Sequence, residues 1–157
     1  MPLVRPTAAG FSLLELLCAL GVLSLLLGAA LPTLSTTLPA LALDHAGRAL
    51  VAELELARVR AIHRNTRVRA VVELALARYR IESESEGRFE SDGANRTLPA
   101  GVTFDAGAST RVAGGRVVIT FLPRGHTADN ATIALGNGVA TTPRRVVISS
   151  AGRVRIQ

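Results

Sequence analysis

The sequence predicts an α+β fold in which a long N-terminal helix packs on a small antiparallel β domain. One observation is the apolar segment Phe11–Leu31, which has 21 residues and a single charge. It is followed by a stretch in which apolar residues recur with the spacing of an amphipathic helix. The other observation is that, after Asn65, apolar and polar residues alternate with a period of two, as in β-strands. This alternation recurs in short segments between glycine-rich turns. The chain has 157 residues, so we expect one globular domain after the apolar segment.

The apolar segment Phe11–Leu31 has the length of a membrane-spanning helix. Its 21 residues would form a helix of about 32 Å, against a hydrocarbon core of about 30 Å. A secretory signal peptide is the alternative, but its apolar region is usually about 7–15 residues and ends at a small-residue cleavage site. We therefore assign residues 1–10 to a leader and 11–31 to a retained transmembrane helix. Pro32 and Pro39 should kink or interrupt the path into the next helix.

Glu15 is the one charged residue of that segment. A carboxylate at the centre of a membrane helix costs about 2.5–3.5 kcal/mol on insertion scales. One interpretation is that Glu15 lies near the helix end and extends to the lipid headgroups. The other is that it pairs with a cation supplied by an assembly partner.

Residues Gly10–Leu17, GFSLLELL, resemble the processing site of type IV pilin-like proteins. The resemblance implies that a prepilin peptidase cuts after Gly10 on the cytoplasmic side and that Phe11 becomes the N-methylated N-terminus. It also implies that Glu15 pairs with the terminal amine of a neighbouring subunit, and that Pro32 is the helix-kinking proline of many such proteins. The expected location is the bacterial inner membrane, crossed once, with the C-terminal domain in the periplasm and the subunit incorporated into a pilus or pseudopilus.

Residues 32–66 are assigned to the periplasmic continuation of the helix. Apolar residues recur at steps of three and four between residues 41 and 65, which is typical of one buried helix face. Asp44 can pair with Arg48, and Glu55 with Arg58, on the outer face. The predicted inner face consists of Leu43, Ala46, Leu50, Leu54, Ala57 and Ala61.

Residues 67–157 are assigned to the antiparallel β domain. The polar run Glu82–Arg96 is predicted to be an exposed loop, and Ser150–Gly152 the turn of a C-terminal hairpin. The expected strands cover residues 68–76, 102–104, 117–121, 132–135, 146–149 and 153–157. Tyr79 and Ile81 either continue the first of these strands or pair with it.

Later segments narrow the resemblance to the GspH/FimT family. Residues 41–68 are similar to its helix-to-strand segment, and its later strands resemble LPAGVTF (98–104), ITFLPRGHT (119–127) and VVISSAGRVRI (146–156). The family implies a minor pilin or pseudopilin, a low-copy subunit near the tip of a type IV pilus or a type II secretion pseudopilus. The implied partners are other minor pilins or pseudopilins, the prepilin peptidase and the inner membrane.

The positive charge is concentrated in the last third of the chain. All 18 basic residues are arginine, and residues 106–157 hold seven of them against one acidic residue, a local charge of +6. Arg153 and Arg155 are two apart and should share one face of a strand, with Arg144 and Arg145 at the far end of the same hairpin. Such a cluster is either a surface for phosphates or a solvated strand face that discourages edge pairing.

The string Gly152-Arg153-Val154-Arg155 matches a C-terminal GRxR motif that some FimT-type members carry, implicated in DNA binding during natural transformation. The resemblance implies a DNA-binding role in competence. Base stacking needs aromatic side chains, and Phe121, the one aromatic residue of the last third, falls in an apolar strand position. The expected mode is therefore non-specific contact with the double-stranded backbone. The alternative is a type II secretion pseudopilin of the protein H type that acts only in protein export and binds no DNA.

The sequence gives no support for an enzyme. His45, His63 and His126 are scattered, without a recognisable nucleophile or metal motif beside them. Cys18 falls inside the apolar segment, where it acts as a small apolar residue. We expect no catalytic residues, no metal site and no cofactor.

Overall fold

The structure is a computed structural model that describes residues 11–128, 130–140 and 142–157, without the side chains of residues 30–36. The predicted leader with Gly10 lies outside the described residues. The chain divides into two compact units, Met1–Thr37 and Leu38–Gln157, each treated by itself below. The described elements are α1 (Leu13–Arg64), β1 (Val68–Glu73), β2 (Arg78–Ser85), β3 (Arg88–Ser91), β4 (Arg96–Thr97), β5 (Thr103–Asp105), β6 (Arg116–Phe121), β7 (Ala131–Gly136), β8 (Arg144–Ile148) and β9 (Val154–Ile156).

In the first unit, Ser12 caps the start of α1. Its side-chain oxygen accepts a hydrogen bond from the backbone N–H of Glu15 at 3.2 Å, and the side chains of residues 11–29 are exposed. The helix is not interrupted at Pro32 or Pro39, contrary to one of the two outcomes expected there. No helix within the described residues meets the length and hydropathy needed to cross a membrane.

In the second unit, α1 buries the face that its spacing predicts. All six residues of the predicted stripe, from Leu43 to Ala61, are at most 3% exposed. Both predicted ion pairs form, with Arg48 Nε 2.7 Å from Asp44 and Arg58 3.5 Å from Glu55. The second pair does not lie on an outer face as predicted, because Arg58 and Glu55 also hydrogen-bond the β domain. The apolar stripe therefore explains why this part of α1 packs against the strands.

The strands form two antiparallel sheets. The first has the order β3-β2-β1-β6, with β4 also paired to β2, and the second has the order β5-β7-β8-β9. Alternate residues of both sheets join the helix stripe in one hydrophobic core, which includes Phe121, Ile133 and Ile148. The helix stripe packs against the inner faces, and most charged residues of the strands lie on the outer faces.

The prediction of a loop at Glu82–Arg96 is wrong except at residues 92–95, which lie between strands. The stretch completes β2, adds β3 and begins β4, and the two-residue turn Glu86-Gly87, in which both residues have positive φ, joins β2 to β3. Such a turn suits the right-handed twist of a hairpin. The stretch looked like a loop because its side chains are polar. Cross-strand pairing, however, satisfies the backbone hydrogen bonds whatever the side chains are. Arginines of α1 and β1 pair with several of its carboxylates.

The remaining strands lie close to their predicted positions. β1 ends at Glu73 rather than near residue 76, because the chain turns there and Ala77 donates to the carbonyl of Leu74 at 3.3 Å. Tyr79 and Ile81 pair with β1, which is one of the two outcomes expected for them. The C-terminal hairpin is confirmed, with β8 antiparallel to β9.

Candidate functional site

The C-terminal hairpin presents two arginines on the outer face of the second sheet. Arg145 and Gln157 exchange backbone hydrogen bonds of 2.9 and 2.8 Å, and Val147 lies opposite Arg155. Because alternate residues of a strand point to the same side, Arg145 and Arg155 share a face. Val146 and Ile148 point the other way and are fully buried.

Arg153 extends this face beyond the end of β9. Its backbone N–H donates to the Ser149 hydroxyl at 3.3 Å, and its carbonyl accepts from the Ser149 N–H at 3.0 Å. Arg153 and Arg155 line a shallow groove of about 330 Å³ together with Val147, Ser149, Ala151 and Gln157. Arg145, Arg153 and Arg155 are exposed, and none has an acidic partner among the described residues. We call these three residues the arginine face.

Arg144 does not belong to the arginine face, so the expected cluster of four is corrected to three. It shares the inner-facing side of β8 with Val146 and Ile148, and its guanidinium lies 3.6 Å from Asp44 of α1. A change of one position along a strand reverses the side-chain direction. Arg144 and Arg145 therefore point to opposite sides of the sheet.

The outer face of the first sheet also carries arginines, but acidic residues neutralise them. Directly opposed residues pair across the strands, as Arg69 does with Glu82 at 2.5 Å. The Phe89 ring lies 4.1 Å from the Arg69 guanidinium. The ion pairs of this face are Arg67–Glu84, Arg69–Glu82, Arg80–Glu82, Arg78–Glu73, Arg80–Glu73 and Arg116–Glu73. Both sheets thus carry arginines on their outer faces, but only those of the second sheet are free of carboxylate partners among the described residues.

Glu73 is the most enclosed carboxylate of this network, 4% exposed. Hydrogen bonds from Arg78 and Arg80 lower its pKa to about 2 from an ordinary value of 4.5. Arg80 contacts it at 2.7 Å and Arg116 at 3.3 Å. The carboxylate stays ionised, and the three guanidiniums around it are engaged within the protein.

Gly152, predicted as part of a DNA-binding motif, has a structural task in this arrangement. It is buried with φ +77°, and a Cβ built on it would lie 3.0 Å from the carbonyl carbon of Gly125 and closer still to the oxygen. Gly125 also has positive φ, and its carbonyl accepts from Arg58 Nε at 2.9 Å. The glycine of the motif lets the β8–β9 turn approach the turn at residues 122–125. Sequence reasoning missed this contact, which joins residues 27 positions apart.

The residues predicted for processing and assembly lie at the start of α1. Phe11 is 82% exposed. Ser12 and Glu15 have the S-x-x-E spacing of a capping box, which favours a helix start at this point. Sequence reasoning missed that Ser12 caps the helix here, by accepting the backbone N–H of Glu15, although the spacing was visible.

The described residues offer little for other chemistry. His45, His63 and His126 are exposed and separate, and Cys18 is exposed on α1. Among the described residues, no group of three or more His, Cys, Asp or Glu side chains could hold a metal ion.

Two family models match the chain. The model described as Type II transport protein GspH matches residues 46–152, and the prokaryotic N-terminal methylation motif matches residues 5–31. Together they span the start of α1 and nearly all of the second unit.

A curated relative and solved structures agree with the family models. The pilin-like protein PilA1 of Thermus thermophilus is 39% identical over 96% of this chain and 99% of its own length. The type IV minor pilin FimU of Pseudomonas aeruginosa has a TM-score of 0.56 at 20% identity, over 73% of this chain and 92% of FimU. The minor pseudopilin EpsH of the Vibrio cholerae type 2 secretion system has a TM-score of 0.60 at 14% identity, over 73% of this chain and 95% of EpsH. The chain therefore belongs to the GspH/FimT-like family of type IV minor pilins and pseudopilins, which are membrane-anchored structural subunits and not enzymes.

Proposed function

We propose that the protein is a minor pilin of a type IV pilus whose arginine face binds double-stranded DNA during natural transformation. The observation that carries the proposal is the contrast between the two sheets. The arginines on the outer face of the first sheet are held by carboxylates, whereas Arg145, Arg153 and Arg155 are exposed without an acidic partner among the described residues. A guanidinium without a partner can form bidentate contacts with a phosphate.

The proposed binding mode is non-specific contact with the phosphate backbone. Phe121 is fully buried and offers no stacking surface, so the arginine face has no means to hold unstacked bases. Each arginine–phosphate contact releases counterions, and the affinity should fall steeply with salt, by a slope of about 0.9 per contact.

The proposed assembly follows the processing motif. The prepilin peptidase cuts after Gly10, Phe11 becomes the methylated N-terminus, and the apolar segment crosses the inner membrane once with the C-terminal domain in the periplasm. The match to the N-terminal methylation motif supports this proposal. In the filament, Glu15 pairs with the terminal amine of a neighbouring minor pilin, because a carboxylate in an apolar environment needs a cation.

The test of DNA binding compares two sets of variants of the full-length chain in non-ionic detergent. Replacing both Arg153 and Arg155 by Ala should weaken binding to a mixed-sequence duplex and reduce the salt slope by about 1.8. Arg88→Ala is the matched control, since Arg88 is exposed and has no acidic partner among the described residues but lies on the first sheet. Equal binding by the double variant, the control and the native chain would overturn the proposal.

A second candidate is a pseudopilin that acts in type II secretion without binding DNA. The description of the matched family model, a type II transport protein, favours it. Gene deletion separates the two candidates. Loss of exoprotein secretion with intact transformation supports the second, and loss of transformation with intact secretion supports the first.

A further inference from the structure

A second turn lies against the hairpin that carries the arginine face. This turn, residues 122–125, follows β6 and is closed by a hydrogen bond of 2.8 Å from the Gly125 N–H to the Leu122 carbonyl. Arg124 lies within it, is exposed, and has no acidic partner among the residues that the structure describes. In this respect it resembles Arg145, Arg153 and Arg155 and differs from the paired arginines on the outer face of the first sheet.

Direct contacts fix the position of this turn relative to the hairpin. Gly152 approaches the Gly125 carbonyl too closely for any side chain to fit between them. Just beyond the turn, Thr127 is 3% exposed and donates twice to the hairpin, from its N–H to the Ser150 carbonyl at 3.0 Å and from its hydroxyl to the Ser149 carbonyl at 2.9 Å. The two turns therefore form one packed unit.

The helix supports both turns from the inside. Arg58 donates to the Gly125 carbonyl at 2.9 Å and pairs with Glu55 at 3.5 Å. The other oxygen of Glu55 accepts the backbone N–H of Val154 at 3.3 Å. The side chains of Arg58 and Glu55 thus fix the position of the turn at residues 122–125 relative to the edge strand β9.

We propose that Arg124 is a fourth phosphate-contacting residue, and that the binding surface is formed jointly by the β8–β9 hairpin and the turn at residues 122–125. Arg124 and Arg153 are the chain neighbours of the two glycines in contact, so their backbones are held close together. Because the two turns are packed together, the backbones that carry Arg124 and Arg153 keep a fixed separation. Positive groups that are positioned in advance lose less entropy when they bind a phosphate backbone. This inference rests on the proposed DNA binding.

The experiment measures duplex binding by the full-length chain over a range of salt concentrations. Arg124→Ala should weaken binding at low salt and reduce the salt slope by about 0.9, the loss of one phosphate contact. Arg124→Lys retains the charge and should keep the slope close to the native value. Arg88→Ala is again the control, and thermal unfolding of each variant checks that the fold is intact.

The outcomes separate this inference from the function on which it rests. If Arg124→Ala behaves like Arg88→Ala while the Arg153 and Arg155 double variant loses affinity, the hairpin binds DNA alone and the role of Arg124 is refuted. If the double variant binds as the native chain does, or the native chain does not bind, the proposed function itself fails.

Discussion

The buried Gly152 faces the carbonyl group of Gly125, at a separation that leaves no room for a Cβ atom. Both residues have positive φ, +77° and +78°. This contact joins the C-terminal hairpin to the turn after β6, and so determines where the arginine face lies relative to Arg124. Within Gly152–Arg155, the glycine positions the turn, and Arg153 and Arg155 are the residues proposed to contact phosphate.

The contact predicts a specific penalty for Gly152→Ala. The substitution forces an alanine into positive φ, which costs about 1–3 kcal/mol, and also drives its Cβ into backbone that cannot move without displacing the turn. Gly138→Ala is the matched control, because Gly138 has φ +69° and open space around its missing side chain. The free energy of unfolding, measured with urea, should fall more for Gly152→Ala than for Gly138→Ala. Equal losses would mean that the turns do not depend on each other.

The second prediction compares the effects of Arg144 and Arg145 on duplex binding. Arg145→Ala should weaken duplex binding, because Arg145 lies on the arginine face. Arg144→Ala should leave binding unchanged and cost at most about 1 kcal/mol of stability, since its half-exposed pair with Asp44 is a surface ion pair. Salt-dependent duplex binding is the measurement. The assigned faces would be contradicted if Arg144→Ala reduced the salt slope as much as Arg145→Ala.

The helix was the part of the fold most open to prediction from sequence. The stripe from Leu43 to Ala61 has helical spacing, and burial of apolar surface then determines which face turns inward. Strands with one apolar face, such as β6, were visible for the same reason. The hairpin at Glu82–Arg96 was not, because its carboxylates find arginines on α1 and β1, and spacing along a single segment does not reveal such distant partners.

The candidate site was predictable in part. The pair Arg153 and Arg155 follows from their two-residue spacing in an extended strand. The exclusion of Arg144 depends on β8 starting at Arg144 rather than at Val146 as predicted, because alternation then places Arg144 on the same side as the buried Val146. Arg124 could not be found, because its relation to the hairpin depends on the Gly125–Gly152 contact between distant segments.

Glu73 gives a pH prediction. Its pKa in the folded protein is about 2, below the ordinary 4.5, because Arg78 and Arg80 hydrogen-bond the ionised form. A group whose pKa is lowered by folding stabilises the protein above its unfolded pKa and loses that contribution as the pH falls. Stability should therefore decline between about pH 4.5 and pH 2. Thermal unfolding across this range should show a shallower decline for Glu73→Gln, whose side chain does not titrate, than for the native chain. Parallel declines would mean that the network does not couple Glu73 to folding.

Glu15 has two possible tasks, and one substitution separates them. In the capping box with Ser12, glutamine serves as well as glutamate, so Glu15→Gln should preserve the helix start. The same change removes the charge proposed to pair with the terminal amine of a neighbouring subunit. We therefore expect Glu15→Gln to be processed to a Phe11 N-terminus, as mass spectrometry of the chain would show, but to be depleted from sheared filaments in an immunoblot. Ser12→Ala is the control, because it removes the cap, at about 1 kcal/mol, and keeps the charge. Normal incorporation of Glu15→Gln would contradict the proposed charge pairing, and depletion of Ser12→Ala would then show that assembly depends on the capped helix start instead.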